Sequence, residues 1–251
     1  GREVLRGNTL VAGLNADLRS SGFMLRPDTE RVLKDMPDLT ISRLELHPTP
    51  EVDSLVRREV ELYDIINSGG VTSMTASEQA ELKGHVATVR RLIGEKKAPQ
   101  IAEYLKILLA GGLDRLVCFL YHKDVIDTIA ERMPAGIRVS KISGSVSMEN
   151  RDAIIKAFQG KDPRPHILLG QIQSCGVGIT LTKARHCVVG ELDWTWSVNE
   201  QAIKRLHRLT QVNHVQADFL SYPNSIDARI MKRSDDKRVM NLQIYNDDLC
   251  A

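Results

Sequence analysis

The order of apolar residues from Ala98 onward predicts helices that alternate with strands. Several apolar runs lack the polar-apolar alternation of a strand with one wet face, most clearly Leu116-Val117-Cys118-Phe119-Leu120. Such runs are typical of a parallel sheet that helices cover on both faces, so the pattern predicts an α/β fold. The expected elements are helices over 100–110, 123–132, 147–159 and 198–208 and strands at 115–121, 137–142, 166–170, 186–191 and 215–221.

Residues 1–97 show a different pattern, which we interpret as a helical connector without a large core of its own. The expected elements are a helix carrying Leu10, Leu14 and Leu18, a short strand at 39–46, and helices at 50–67 and 76–93. The charged run Lys96-Lys97-Ala98-Pro99 ends in a proline suited to a helix start. The predicted domains are therefore residues 1–97 and 98–251.

Composition restricts the class of protein only in part. The 251 residues, 42% of them hydrophobic, suffice for one good core and a smaller appended region. A net charge of +2 neither favours nor excludes nucleic acid. Because no apolar run reaches the roughly 18 to 20 residues of a membrane span, we expect a soluble, intracellular protein without a membrane partner. A chain that opens on Gly1 also suggests a piece of something larger, although a trimmed tag would leave the same first residue.

Cysteine and histidine spacings predict no metal site. The four cysteines show no CxxC spacing, so we expect free thiols in a reducing compartment: Cys118, Cys175, Cys187 and Cys250. The histidines show none of the spacings that accompany zinc, and we predict no structural zinc.

The run from Gln201 to Gln211 carries the strongest chemical signal. Arg205 and Arg208 are three residues apart, so on the predicted helix both guanidinium groups reach one polyanion, and two such forks suit a triphosphate. The sequence contains no GxxxxGK loop followed by Ser or Thr. We therefore expect a chain that senses ATP but does not hydrolyse it alone. A solvated basic helix face is the alternative.

Other candidate ligand contacts follow predicted strands. Gly176 and Gly178 would let the backbone approach a phosphate, although a plain tight turn explains them too. A second group follows strand ends that should share one rim of the sheet, where small hydroxyl, amide and basic groups suit phosphate oxygens: His122, Lys123, Gly144, Ser145 and Arg151. His122 and Lys123 could instead be exposed turn residues.

Six segments resemble the Swi/Snf-type DNA translocases of helicase superfamily 2, especially the branch of annealing helicases. They are Phe23-Met24-Leu25-Arg26 through Met36-Pro37, Phe119 to Val125, Ile142 to Ser145 with Arg151 and Phe158-Gln159, Leu168 to Thr182, Glu191 to Trp194, and Gln201 to Gln211. Three positions depart from the family pattern: Thr210 replaces a glycine, Trp196 replaces a proline, and Pro27 replaces a second arginine. The first departure questions the turn after Arg208, because Thr tolerates positive φ poorly.

The resemblance implies the second RecA-like lobe of a DNA-dependent ATPase, a fold of the P-loop NTPase type. It implies that Arg205 and Arg208 act as arginine fingers, and that Gln201, Gly176 and Gly178 line the nucleotide side. Gln201 at the helix start could also be a simple polar cap. Nucleic-acid contacts are implied for His122, Lys123, Gly144, Ser145, Arg151 and Ser174.

The implied cofactors are ATP and Mg²⁺, bound mainly by a first lobe. The implied partners are double-stranded or branched DNA and that first RecA-like lobe, and the connector offers a possible surface for a protein partner. Two other hypotheses stay open: a stand-alone nucleic-acid-binding or regulatory module, and a connector that only docks a protein. Trp194 and Trp196 suit base stacking, but packing at the strand end fits them better.

Overall fold

The structure is a computed structural model that describes Ser21 and residues 36–68, 74–175 and 178–245, with side chains to Asp235. Residues 36–230 form one compact unit, and residues 231–245 belong to a second unit. The expectations for the helix carrying Leu10, for the segment from Phe23 and for Cys250 lie outside the described residues.

One sheet of parallel strands organises the larger unit. Its strands are β1 (Leu39–Glu45), β2 (Arg115–Leu120), β3 (Arg138–Ile142), β4 (His166–Gln171), β5 (His186–Val189) and β6 (Val215–Ser221). They lie in the order β1-β6-β5-β2-β4-β3, and every neighbouring pair is parallel. The α/β prediction is confirmed, because the fold is a RecA-like parallel sheet with helices.

The helices lie close to the predicted positions. They are α1 (Pro50–Asn67), α2 (Ala76–Ala110), α3 (Lys123–Glu131), α4 (Met148–Gln159), α5 (Ile172–Cys175), α6 (Trp196–Ile203) and α7 (Ile226–Tyr245). Polar side chains fix several starts: the Ser147 hydroxyl accepts from Asn150 N–H at the start of α4, and Thr75 and Glu78 form a capping box on α2. These caps satisfy N–H groups that have no partner within the helix.

The core lies where α2 and α3 pack on the central strands. All six residues of β2 are buried, which explains why its sequence shows no alternation. Ile101 and Leu105 of α2, together with Ile129 of α3, contribute fully buried side chains to the same cluster. The apolar run noted in the sequence is therefore the middle of the sheet.

The boundary predicted at Lys97 falls inside a helix. Two helices were expected, but α2 continues through Pro99 for 35 residues. Lys97 is 1% exposed, because its ammonium group pairs with Asp227, 3.2 Å away. Apolar packing of the residues that follow holds the helix together despite the missing proline N–H. The division into domains 1–97 and 98–251 stays a prediction, and it would cut through a continuous helix.

The short strand predicted at 39–46 belongs to the main sheet. β1 pairs in parallel with β6, from Leu39 opposite Val215 to Glu45 opposite Ser221. Part of the segment interpreted as connector therefore supplies an edge strand to the RecA-like sheet.

Two further sequence expectations concern cysteines and membranes. Cys118, Cys175 and Cys187 are buried free thiols, and burial raises the pKa of Cys175 to about 12. Among the described residues, no helix has both the length and the apolar character that crossing a bilayer requires.

Candidate functional site

Gln171, at the end of β4, connects the loops that follow three strands. Its amide nitrogen donates to the Tyr121 carbonyl at 3.2 Å, and its amide oxygen accepts from Gly144 N–H at 3.1 Å. The same oxygen accepts from the Ser174 hydroxyl at 3.3 Å. The predicted residues Gly144 and Ser174 therefore lie together at the carboxyl ends of the strands, which we call the strand-end rim.

Glu191 fixes the loop after β2. One carboxylate oxygen accepts from the backbone N–H groups of Tyr121 and His122, at 3.0 and 2.9 Å, and the other lies 2.7 Å from His122 Nδ1. Helix α2 comes so close that a Cβ on Gly94 would overlap this carboxylate. His122 is thus held in place, with its side chain 15% exposed, whereas the adjacent Lys123 is exposed at the start of α3.

Ser145 and Arg151 occupy the same rim beside β3. The Ser145 hydroxyl lies 2.9 Å from the Ser143 hydroxyl, and Gly144 between them is exposed. Arg151 is half-buried on α4, and its Nε has no hydrogen-bond partner in the described structure. Its charge lies near Cys175, at the end of α5, as does the charge of Arg205.

The helix that was expected to carry both arginines ends before them. α6 stops at Ile203, and Arg205 and Arg208 lie in the turns that follow, so the prediction of one shared helix face is wrong. Arg205 N–H bonds Ala202 O, three residues back, and Arg205 O accepts from Leu181 N–H at 2.8 Å. This long-range bond takes Arg205 out of the helical hydrogen-bond pattern.

Among the described residues, no carboxylate is hydrogen-bonded to Arg208, the second arginine of this turn. Arg208 Nη1 donates to the Thr180 hydroxyl at 2.8 Å, and its Nε donates to the Lys204 carbonyl at 3.1 Å. Burial, and next the positive charge of Arg208, lower the pKa of Arg205. Two guanidinium charges that repel each other favour an anion between or beside them.

The chain is similar to known helicases and related proteins. Residues 99–210 match the family described as the helicase conserved C-terminal domain. The DNA annealing helicase and endonuclease ZRANB3 of Homo sapiens is 27% identical over 206 residues, which cover 76% of this chain and 19% of that protein. The SWI/SNF-related matrix-associated actin-dependent regulator of chromatin subfamily A-like protein 1 of Bos taurus is 33% identical over 129 residues, covering 50% of this chain and 13% of that protein.

Residues 99–210 form a Swi/Snf-type helicase C-terminal domain.

Solved structures show the same fold. The Sulfolobus solfataricus SWI2/SNF2 ATPase core domain has a TM-score of 0.62 and 20% identity, covering 96% of this chain and 51% of that chain. The C-terminal part of the Fun30 ATPase domain has a TM-score of 0.55 and 12% identity, covering 83% of this chain and 99% of that chain. The chain spans about a fifth, 19%, of the length of the ZRANB3 relatives that it matches.

Two glutamines support the segment that carries Arg205 and Arg208, which we call the arginine turn of this helicase domain. Gln159 donates to Thr180 O at 3.1 Å and accepts from Lys183 N–H at 2.9 Å, so it holds the segment that bonds Arg208. The buried Gln211 donates to Thr182 O at 3.1 Å and to Ala184 O at 2.9 Å. Both glutamines belong to segments matched in the sequence, but the sequence indicated no role for them, because their partners are backbone groups of loops.

The remaining nucleotide-side residues have mixed outcomes. Gly178 has φ +73°, a conformation that favours glycine, and Gly176 lies outside the described residues. Gln201 is exposed in the last turn of α6, so it is neither at the helix start nor an N-terminal cap. Thr210 is not among the described residues with positive φ, and the turn therefore forms without the glycine of the family pattern.

Both tryptophans of the helicase domain pack against aromatic rings. Trp194 stacks on Tyr63 with ring centroids 5.7 Å apart, and the Arg90 guanidinium lies 4.2 Å from the Trp194 ring centroid. Trp196 stacks on Phe219 at 5.4 Å. The packing interpretation is confirmed for both side chains. Within the described residues, no group of three or more His, Cys, Asp or Glu side chains is placed to hold a metal ion.

Proposed function

We propose that this chain is the second motor lobe of an ATP-dependent DNA translocase, and that Arg205 and Arg208 serve as its arginine fingers. The observation that carries the proposal is the arginine turn, where Arg208 bonds a hydroxyl and a carbonyl but no carboxylate. The Arg208 guanidinium keeps its charge available for an anion that arrives from outside the lobe. ATP is the anion that we assign, because a relative of this chain is the ATP-dependent DNA helicase DDM1 of Arabidopsis thaliana.

The chemistry requires a second protein surface. Phosphoryl transfer spreads negative charge over the oxygens of the transferred group, and a guanidinium delivered on domain closure stabilises that charge. Mg²⁺ and most contacts to ATP would belong to a first RecA-like lobe, because these 251 residues contain no GxxxxGK loop followed by Ser or Thr. Gln201, Gly176 and Gly178 would line the nucleotide side of the closed cleft. On this proposal the chain alone is inactive.

The strand-end rim is the proposed DNA-binding surface. Gly144 and Lys123 are exposed there, His122 is held by Glu191, and Gln171 keeps Ser174 beside Gly144. Backbone amides, hydroxyls and a lysine suit phosphate oxygens and read no sequence, as stepping along double-stranded or branched DNA requires. Ser145 and Arg151 would extend the same contact. The protein would act inside the cell, and α1 and α2 remain candidates for a protein partner.

The decisive experiment compares two arginine variants of the parent protein. Arg208→Gln should lower DNA-stimulated ATP hydrolysis about a thousandfold, the low end of what arginine fingers contribute. The control is Arg164→Gln, which removes an exposed arginine that pairs with Asp162 away from the turn. Both variants should unfold at the temperature of the unmodified protein.

Equal turnover in the two variants would contradict the finger assignment. If the parent protein also shows no DNA-stimulated hydrolysis but this chain binds duplex DNA, the stand-alone binding module would be the better description.

A further inference from the structure

A pocket of about 250 Å³ lies at the opposite edge of the sheet from the strand-end rim. It is lined by Leu113, Arg185, His186, Asn213, His214 and Gln216, and we call it the strand-start pocket. These residues stand at or just before the first residues of β2, β5 and β6. In a parallel sheet, strand starts and strand ends lie at opposite edges, so this pocket is separate from the proposed ATP and DNA contacts.

His186 is held rigidly on the pocket wall. Its Nε2 lies 2.5 Å from Asp218 Oδ2, which also accepts from the Tyr104 hydroxyl at 2.7 Å, and Asp218 Oδ1 accepts from Gln216 Nε2 at 2.6 Å. Burial opposes ionisation of Asp218, but these hydrogen bonds hold its pKa below the ordinary value. An ionised Asp218 fixes the hydrogen of His186 on Nε2, which leaves Nδ1 as the ring nitrogen available to the pocket.

Arg185 supplies an uncompensated charge beside this histidine. It is exposed, and within the described part of the chain its guanidinium has no hydrogen bond or ion pair, unlike Arg138 and Arg164, which share Asp162. No Asp or Glu is among the residues that line the pocket, and Asp218 is 3% exposed behind His186. A free guanidinium on a wall without carboxylates favours an anion.

The remaining polar groups also offer donors. His214 Nε2 lies 2.8 Å from the Thr40 hydroxyl, which orients the ring and leaves Nδ1 for another contact. The exposed Asn213 carries an amide that can donate two hydrogen bonds. We propose that the strand-start pocket binds a phosphate group, held by the fork of Arg185, by the Asn213 amide and by the Nδ1–H of His214, beside the His186 ring. Tetrahedral oxygens with several acceptor sites match convergent donors of this kind.

Histidine ring signals test this site directly. The full chain, labelled with ¹⁵N-histidine, is titrated with sodium phosphate at pH 7 while sodium chloride keeps the ionic strength constant. We expect saturable shifts of the His186 and His214 ring nitrogens, with His214→Gln used for assignment. Arg185→Gln should weaken binding about tenfold or more, the loss expected for charged hydrogen bonds.

The matched control is Arg132→Gln, another exposed arginine without a partner in the described structure, located at the end of α3. It should leave the titration unchanged. Shifts that rise linearly without saturation, or equal weakening in the two arginine variants, would mean an adventitious ion only and would overturn the proposal.

A second arm distinguishes the source of the phosphate. A short DNA duplex replaces sodium phosphate at the same ionic strength. Shifts of the same two histidines at lower concentration, again weakened by Arg185→Gln, would assign the pocket to a phosphodiester of DNA. Saturable shifts with sodium phosphate alone would assign it to a small phosphate compound, and both results support the site.

Discussion

Arg90 and Arg208 are both arginines, but their electrostatic surroundings are opposite. Arg90 is 5% exposed and donates to Glu59 at 3.3 Å, to Asp227 at 2.8 Å and to the Leu192 carbonyl at 2.6 Å. Within the described part of the chain, Arg208 bonds only neutral groups, the Thr180 hydroxyl and the Lys204 carbonyl. Carboxylates neutralise the charge of Arg90 inside the protein. The charge of Arg208, in contrast, remains available for an anion that is not part of the lobe.

This difference separates structural arginines from candidate functional ones. Burial would lower the pKa of Arg90, but Asp227 and Glu59 overcome it, and the pKa is raised. In the turns after α6, burial and Arg208 together lower the pKa of Arg205. An arginine whose charge is disfavoured by burial and by a like charge is poorly explained by stability alone.

The largest expected effect tests the buried arginine. Arg90→Met leaves Glu59 and Asp227 without their shared cation, and it should lower the free energy of unfolding by about 3 to 5 kcal/mol. Urea unfolding measures the change. The control is Arg91→Met, because Arg91 is exposed and pairs with Glu95 and Asp124 on the protein surface. That change should cost less than about 1 kcal/mol, and equal losses would contradict the contrast.

A smaller, pH-dependent effect is expected from Glu59. Burial raises the pKa of Glu59 from its ordinary 4.5 to about 7, although the Arg90 charge opposes the change. The folded protein therefore binds this proton more tightly than the unfolded chain does, and the stabilisation is lost as pH rises from about 4.5 to 7. Each pKa unit corresponds to about 1.4 kcal/mol, so the full contribution is of the order of 3 kcal/mol.

Glu59→Gln removes this proton binding and keeps an acceptor for Arg90. The free energy of unfolding of the variant, minus that of the unmodified protein, should be more positive at pH 8 than at pH 5.5. Urea unfolding of both proteins at the two pH values measures this difference. Glu61→Gln is the control, since Glu61 is exposed on the same helix and pairs with Arg58. A pH dependence that Glu59→Gln leaves unchanged would show that other groups carry it.

The smallest expected effect concerns the support of Arg208. Thr180→Val removes the hydroxyl that accepts from Arg208 Nη1 and nearly preserves the shape of the side chain. The loss of one hydrogen bond, about 1 kcal/mol, should lower DNA-stimulated ATP hydrolysis of the parent protein about fivefold. Thr182→Val is the control, because only the backbone carbonyl of Thr182 accepts a hydrogen bond from Gln211. Equal activities would mean that Thr180 does not position Arg208.

Local sequence patterns predicted the sheet well. The run from Leu116 to Leu120 has one interpretation, because only a strand buried on both faces is apolar without alternation. The motif residues after β2, β3 and β4 were correctly expected at one rim, since the carboxyl ends of parallel strands share an edge. The role of the arginine pair stays a prediction, and the helix face on which its spacing argument rested does not form, because α6 ends at Ile203.

The errors arose where a distant residue decides the local structure. Lys97 resembles a linker residue until Asp227, 130 positions later, neutralises it inside the core. The helix before Arg205 ends early because Leu181 bonds the Arg205 carbonyl across the loop. Gln171 gave no signal, since a glutamine at a strand end becomes a connector only when three loops supply its partners.

The unbroken helix α2 has a mechanical consequence. A helix of 35 residues is about 52 Å long, and its buried side chains begin at Val86 and continue to Leu109. The helix is therefore packed from Val86 onward, while residues 76–85 contribute no buried side chain. From Gly94, beside Glu191, to Ala76 the helix measures about 27 Å, so a rotation of about 5° at Gly94 displaces the first turn by about 2 Å. Helix α2 has the proportions of a lever arm whose pivot lies beside Glu191 and the loop that carries His122.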